Sequence, residues 1–442
     1  MTTLDTLIAL GRRLDSDAQK LSLLNAYYSG TQPLAYLSED ARAALGAAFR
    51  TLSVELPRLA VDSLAERLEL QGFRLAGSEA ADPGLWSVWT ANGMPEMAPI
   101  AHTESLTLAR CFVFVWTGDD GSPLITVESP SQVAVARSPA TREPVAAVKR
   151  WEQDGYGRAV VFEPETITKY VTEGRVVQGA GIPSTGWRVT EVLDNPLGSI
   201  PVVPLVNRGR LLDLDGVSEM DPLLDLCDAL NKVMSDAMVS SEYYARPRRW
   251  VTGMEIVEDE DGKPVDPFSE DTTRVWQAEN PETRFGQFEQ VNLASYSNLT
   301  ATLTQQIGAV SGLPPHYLGL NGDQPPSADA IRSAEASLVA RALAKQRSFG
   351  RAWAQVAALI LAVRDGIDPR SVRVEPIWAD PSTRTPAQTA DAVTKLHAEG
   401  ILPTSAALER LGYTPPQIER INAQRAGDAL NAQGVNLDDV LS

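Results

Sequence analysis

Apolar residues at Leu4, Leu7, Ile8 and Leu14 recur at helical spacing, so the chain is expected to open with a helix. Ser38 suits the cap of a second helix through Ala41 to Leu45. Leu56, Leu59, Leu64 and Leu68 mark a third, with Pro57 near its first turn. The stretch Tyr27-Tyr28-Ser29-Gly30 breaks the pattern between the first two, and residues 1 to about 110 read as helical throughout. From about residue 111 the character of the sequence changes. Short runs rich in Val, Ile, Thr and aromatics follow one another: CFVFVWT, PLITVE, SQVAVAR, PVAAVKRW, RAVVFE, TITKYVT and GWRVTEV. Asp119-Asp120-Gly121 and Asp154-Gly155 fall between such runs and suit tight turns. Residues 111–206 are therefore expected to form a β-rich domain of antiparallel hairpins.

Helix returns at Asp221-Pro222, where Asp221 suits the N-cap and Pro222 the first helical position. Leu223, Cys227, Leu230, Met234 and Ala237 make a narrow apolar seam, with Asp228, Lys232 and Asp236 as a charge ladder on another face. A helix to about Tyr243 spans roughly 33 Å. A second seam runs through Tyr296, Leu299, Leu303, Gln306 or Ile307, and Val310. The two helices bracket an insert, residues 251–290, with 11 acidic and 3 basic residues. In it EIVEDEDGKPV has the form strand, Asp261-Gly262 turn, strand. After the turn-rich LGLNGDQPPS, Ser327 caps a long helical pattern to about Arg364, interrupted only by Gly350. VRVEPIW reads as one strand, and small helices follow, with Thr385-Pro386 and Thr414-Pro415 as capped starts. The C-terminal NAQGVNLDDVLS reads as frayed or extended. The expected fold class is α+β.

Composition narrows what such a chain does. Hydrophobic residues at 43% and charged residues at 22% fit an ordered protein, and 442 residues exceed one compact core. The net charge of −18 disfavours a protein that grips DNA, since phosphate binding needs clustered cations. It is compatible with a channel through which a duplex slides. The acidic insert alone carries −8, whereas the helical pattern 327–364 carries +4, with Arg341, Lys345 and Arg351 among its cations. Cys111 and Cys227 read as small buried hydrophobes of a reducing compartment. His102, His316 and His397 are scattered and read as surface or packing residues. The first residues, MTTLDTLIALGRRLD, lack the features of a signal peptide, and Trp353 to Val363 is too short to span a bilayer. A soluble protein made in a cytoplasm is expected.

Catalytic motifs do not assemble. GIPSTGW begins like a phosphate-binding loop, but Trp187 and Arg188 stand where Lys and Ser/Thr are needed. An EF-hand register on EDEDG would start at Val257, which cannot ligate a cation. There is no G-x-S-x-G nucleophile elbow. No catalytic residue, metal or cofactor is expected. YYARPRRW, with Arg246, Arg248 and Arg249, reads as a helix end whose cations offset the dipole, or as a nucleic-acid contact.

Taken in order, NAYYSGTQPLAYLSEDAR, NPLGSIPVVPLVNR, SEMDPLLDLCDALNKVMSDAMVSSEYYARPRRWVTG, GLPPHYLGLNGDQPPSADAIRSAEASLVARALAKQRSFGRAW and IWADPSTRTPAQTADAVTKLHAEG resemble segments of the portal proteins of siphophages, especially those infecting actinobacteria. The resemblance implies a homo-oligomeric ring, dodecameric in the virion, at the capsid vertex. DNA passes through the ring during packaging and ejection. It also implies a wing over 1–218, a first stem helix over 219–245, a clip over 246–290 and a second stem helix over 291–312. A tunnel loop would occupy 313–330, a long helix with a wing return strand 327–379, and a crown-proximal helical region 380–442. The tunnel-loop residues would be Asn321, Gly322, Asp323, Gln324, Pro325 and Pro326. Glu258, Asp259, Glu260 and Asp261 would form the clip tip that docks partners. Arg341, Lys345 and Arg351 are candidates for intersubunit or DNA contact, or for salt bridges to acidic neighbours. Implied partners are terminase, a head-tail adaptor, the major capsid and scaffolding proteins and double-stranded DNA, with no membrane. Assembly would take place in the host cytoplasm. The competing expectation is a cytoplasmic α+β enzyme with a carboxylate-based site.

Overall fold

The computed structural model describes residues 2–33, 53–78, 80–177, 181–244, 249–253, 280–287, 294–320, 327–382 and 386–432. The chain is α+β and divides into two units. One takes in Met1–Gln32, Glu55–Cys227 and Ile307–Ser442, the other Pro33–Val54 and Asp228–Gln306.

The first helix, α1 (Thr3–Tyr28), starts with a capping box in which Thr2 and Asp5 each accept the other's backbone N–H. Its buried stripe is Leu7, Leu10, Leu14, Leu21 and Leu24. Leu4 is 39% exposed, and Ile8 only half-buried. The buried face centres between Leu10 and Leu14, and at 100° per residue Leu4 and Ile8 sit roughly 100° or more around the helix from it. Next come α2 (Leu56–Ala65) and a strand, β1 (Leu70–Leu75), which the helical reading of 1–110 missed. That strand is six residues long and pairs antiparallel with Val374–Trp378, so its pattern is too short and its partner too distant to register locally. Then α3 (Pro83–Ala91), capped by the Asp82 carboxylate, and α4 (Met94–Thr107) complete the helical part. The expected helix Ala41 to Leu45 lies outside the described residues.

The β-rich part begins with β2 (Arg110–Thr117), β3 (Pro123–Glu128), β4 (Val133–Arg137), β5 (Pro144–Gln153) and β6 (Tyr156–Phe162). It ends with β7 (Thr166–Arg175), β8 (Trp187–Asp194) and β9 (Val202–Val206). All pairings are antiparallel, in the orders β3-β2-β9 and β4-β5-β6-β7-β8. Asp154 and Gly155, both at positive φ, make the two-residue β5–β6 turn that matches strand twist. The uninterrupted apolar run of β2 has a physical cause. Cys111, Val113 and Val115 face one core while Phe112 and Phe114 face another, so the strand is buried on both sides.

A 3-10 turn over Asp221–Leu223 precedes α5 (Leu224–Tyr244), so Asp221 and Pro222 lie in that turn rather than at the helix cap. Pro222 fits the first turn of either helix type. The short strands β10 (Arg249–Thr252) and β11 (Arg284–Gln287) pair antiparallel, and α6 (Ala294–Ser311) follows. Within the second unit α5 and α6 run side by side, joined by Ser240 and Tyr296 hydroxyls at 3.1 Å and by Thr300 against the Met234 sulfur at 3.8 Å. Leu230 is buried, but Met238 and Leu299 on these helices are 43% and 47% exposed.

The long helix α7 (Ala328–Asp365) is capped by Ser327 and stopped by Gly366 in the left-handed region. It passes straight through Gly350. A Cβ there would stand 3.3 Å from Pro376 and Trp378 of β12 (Val374–Trp378), so the glycine lets the strand lie against the helix. Phe349, Trp353, Val356 and Ile360 of α7 fill the main core with Trp89 and Phe73; Trp89 meets Trp353 edge-on at 5.1 Å. His102 is buried there and accepts a hydrogen bond from the Trp353 indole at 2.9 Å. The small helices α8 (Pro386–Ala398), α9 (Thr404–Arg410) and α10 (Pro415–Ala432) follow. Gln417 accepts the Thr414 N–H at 2.9 Å, one half of the expected capping box. Among the described residues no helix is long and apolar enough to cross a membrane.

Candidate functional site

Arg341, Lys345 and Arg351 lie along α7 on turns that face the β-rich part of the chain. Arg341 pairs with Glu219, and Lys345 pairs with the same carboxylate at 2.5 Å. Glu219 sits just before the 3-10 turn, where its backbone N–H donates to the Leu106 carbonyl at 2.9 Å. Its side chain is only 11% exposed. Asn207, at the end of β9, closes the cluster: its amide donates to Glu219 at 3.0 Å and its side-chain oxygen accepts from Lys345 at 2.5 Å. Burial raises the Glu219 pKa, but the two cations and the hydrogen bonds from Lys345 and Asn207 outweigh it. The net shift is downward and the group stays ionised. Two of the three predicted cations thus share one buried acid of their own chain. Arg351 reaches Glu143 at 2.7 Å, with 76% of its side chain exposed.

The residues named for the loop, Asn321 to Pro326, and for the insert tip, Glu258 to Asp261, lie outside the described residues. Both flanks of the loop are described. On one side Pro315–Leu318 forms a 3-10 turn that ends at Gly319 in the left-handed region; on the other Ser327 accepts the Ala330 N–H at 3.2 Å. The base of the loop is tied down by a network that sequence reasoning missed. Arg67 pairs with the buried Glu335 of α7 at 3.3 Å, donates to the Tyr317 hydroxyl at 3.2 Å and to the Pro381 carbonyl at 2.6 Å. His316 stands 3.6 Å from the same Glu335. The sequence signal was two polar residues, Glu335 and Gln346, in the buried stripe of α7; their partner Arg67 is remote in the chain.

The flanks of the insert are described as β10 and β11. Trp250 lies across Gly286, where a Cβ would overlap the indole, and Gly253 adopts positive φ against the Glu282 carbonyl. Asn280 and Thr283 both donate to the Gly253 carbonyl, at 3.0 and 3.2 Å, which fixes the turn where the insert departs. Trp250 and Phe285 remain 39% and 40% exposed.

Residues 11–429 match the family model described as phage portal protein, SPP1 Gp6-like. The portal protein of Mycobacterium phage D29 is 34% identical over 412 residues, 87% of this chain and 82% of the relative. That of Mycobacterium phage L5 is 32% identical over 411 residues with the same coverage. A chain from the virion of a native gene transfer agent particle is similar over 89% of this chain and 98% of that one. It is 16% identical with a TM-score of 0.47, too low for a shared role to follow.

Proposed function

Because this chain belongs to the phage portal protein family, SPP1 Gp6-like, we propose that its copies assemble into a ring at the capsid vertex, through whose channel the genome is packaged and ejected. The match over residues 11–429 carries the reading. In it 1–218 form the wing, 219–245 and 291–312 the stem helices, and 246–290 the clip. Residues 313–330 form the tunnel loop, 327–379 the long helix with the return strand, and 380–442 a crown-proximal region. Half-exposed Met238 and Leu299 on the paired helices α5 and α6 suit burial against neighbouring copies.

The role is structural, without a catalytic step, in a virion component assembled in the host cytoplasm. Nothing in the family match or the relatives supports the enzyme alternative. The ring is dodecameric in this reading. Asn321 to Pro326 line the channel, where the two prolines stiffen the approach to the Ser327 cap. Glu258, Asp259, Glu260 and Asp261 form an acidic annulus that docks terminase during packaging and a head-tail adaptor afterwards, since complementary charge raises encounter rates. Capsid and scaffolding proteins contact the wing. The acidic character of the whole chain, −18, suits a wall past which DNA slides. Negative-stain microscopy of purified protein tests this: wide rings with an axial channel are expected, and a small compact oligomer at all concentrations would refute it.

A further inference from the structure

Five arginines surround one cleft, and of them only Arg351 was among the residues named from the sequence. Arg137 closes β4, Arg142 lies in the β4–β5 connection, Arg208 follows β9, and Arg347 and Arg351 project from α7. The cleft measures about 400 Å³ and holds one carboxylate, Glu143. Like charges gathered this closely repel unless an anion joins them.

The charge is only partly neutralised within the chain: Glu143 pairs with Arg351. The Nε and Nη2 of Arg137 are shielded from solvent and make no hydrogen bond, although its Nη1 donates to the Arg142 carbonyl at 3.3 Å. Burial lowers the Arg137 pKa; Asp215 and Glu143 oppose the shift, and the repulsion of Arg208 and Arg13 adds to it. Arg142 adopts φ +62°, a left-handed conformation that a non-glycine residue holds at a cost of order 1 kcal/mol. Arg208 and Arg347 are exposed and have no carboxylate partner among the described residues.

The chemistry favours a carboxylate as the missing anion. Glu143 already bridges Arg351 at 2.7 Å and shows what the cleft accepts. The walls are formed by Pro144, Pro204 and Ala352, so the opening suits a side chain. A duplex, whose phosphates lie on a convex surface about 20 Å across, cannot follow them in. A chain with 57 acidic residues offers carboxylates in abundance wherever two copies meet.

We infer that the cleft between the β4–β5 hairpin, β9 and α7 is an intersubunit socket, in which these arginines receive acidic side chains from a second copy of the chain. This rests on the ring proposed above. Carboxylates of the neighbouring copy pair with the exposed Arg208 and Arg347. The contact therefore both strengthens association and fixes the orientation of adjacent copies.

The test is the double variant Arg208→Glu with Arg347→Glu, alongside Arg208→Lys with Arg347→Lys. Neither residue pairs with a carboxylate of its own chain among the described residues, so thermal melting of the monomer should not fall, and relief of repulsion in the cleft should if anything raise it. Mass photometry across a salt series reads the ring fraction. Charge reversal should raise the dissociation constant between copies about tenfold or more at low salt. The lysine variant should retain most of the association, and the gap between variants should narrow at high salt. If the reversal variant melts early, Arg208→Gln alone supplies the same readout without introducing an acid. Rings as stable as those of the unmodified protein at every salt concentration would overturn the inference while leaving the ring itself intact. Absence of rings in the unmodified protein would instead overturn the proposed function. Unchanged rings that lose binding to inorganic pyrophosphate or to a short duplex would assign the cleft to phosphate and also overturn it.

Discussion

Replacing Glu219 with Gln isolates what the shared acid does for α7. The substitution keeps the shape and removes the charge, which leaves Lys345 and Arg341, 15% and 30% exposed, beside a neutral amide. Removing one partner of a buried pair costs about 3–5 kcal/mol. The lower end applies because Arg341 can turn partly to solvent, so about 3 kcal/mol is expected. At roughly 2 °C per kcal/mol for a chain of this size, the melting midpoint should fall by about 6 °C near neutral pH. The pH dependence follows from the depressed folded-state pKa of Glu219. A depressed carboxylate contributes its stability above the unfolded value, 4.5, and loses it as pH falls through the folded value. The gap between the two proteins should therefore be full at neutral pH and should shrink once pH drops below 4.5. Melting curves across that range read it directly. A midpoint unchanged at neutral pH, or a gap that does not close in acid, would refute the view that Glu219 holds both cations.

The buried His102 should make a second acid-sensitive term. Its folded pKa is pushed down to about 3 by burial, so stability falls as pH drops from 6.5 towards 3, and His102→Gln should flatten that limb of a stability–pH curve. Deleting Asn321 to Gln324 should leave rings intact under negative stain and impair packaging or retention of DNA in an infectivity and genome-content assay. Replacing Glu258, Asp259, Glu260 and Asp261 with Asn or Gln, with Gly262 kept, should preserve rings. It should slow partner association and weaken its salt dependence in stopped-flow measurements. Equal rates at all salt concentrations would shift recruitment to apolar residues such as Val265, Phe268 and Trp276.

Local pattern determined the elements whose cause is local. The hairpin turn at Asp154-Gly155 needs only two residues that tolerate positive φ, and those were legible as such. The start of α7 at Ser327 and the run of strands from β2 to β8 were legible for the same reason: cap chemistry and β-propensity act over a few residues. The order of segments along the chain also carried the family resemblance. Tertiary structure decided what depends on partners far apart in sequence. The strand β1 exists because Val374–Trp378 lies beside it, and a side chain at Gly350 would be crowded only because that strand packs on α7. For Arg341 and Lys345 salt bridges to acidic neighbours stood beside intersubunit and DNA contact as readings, and only the fold placed Glu219 between them. Arg137, Arg142 and Arg208 showed no pattern at all, for they come from different elements and their charges meet only when β4, β9 and α7 converge. Periodicity reports which side of an element is apolar; it carries no information about which distant charge will stand opposite a polar one, and the electrostatics of this protein are set by those long-range meetings.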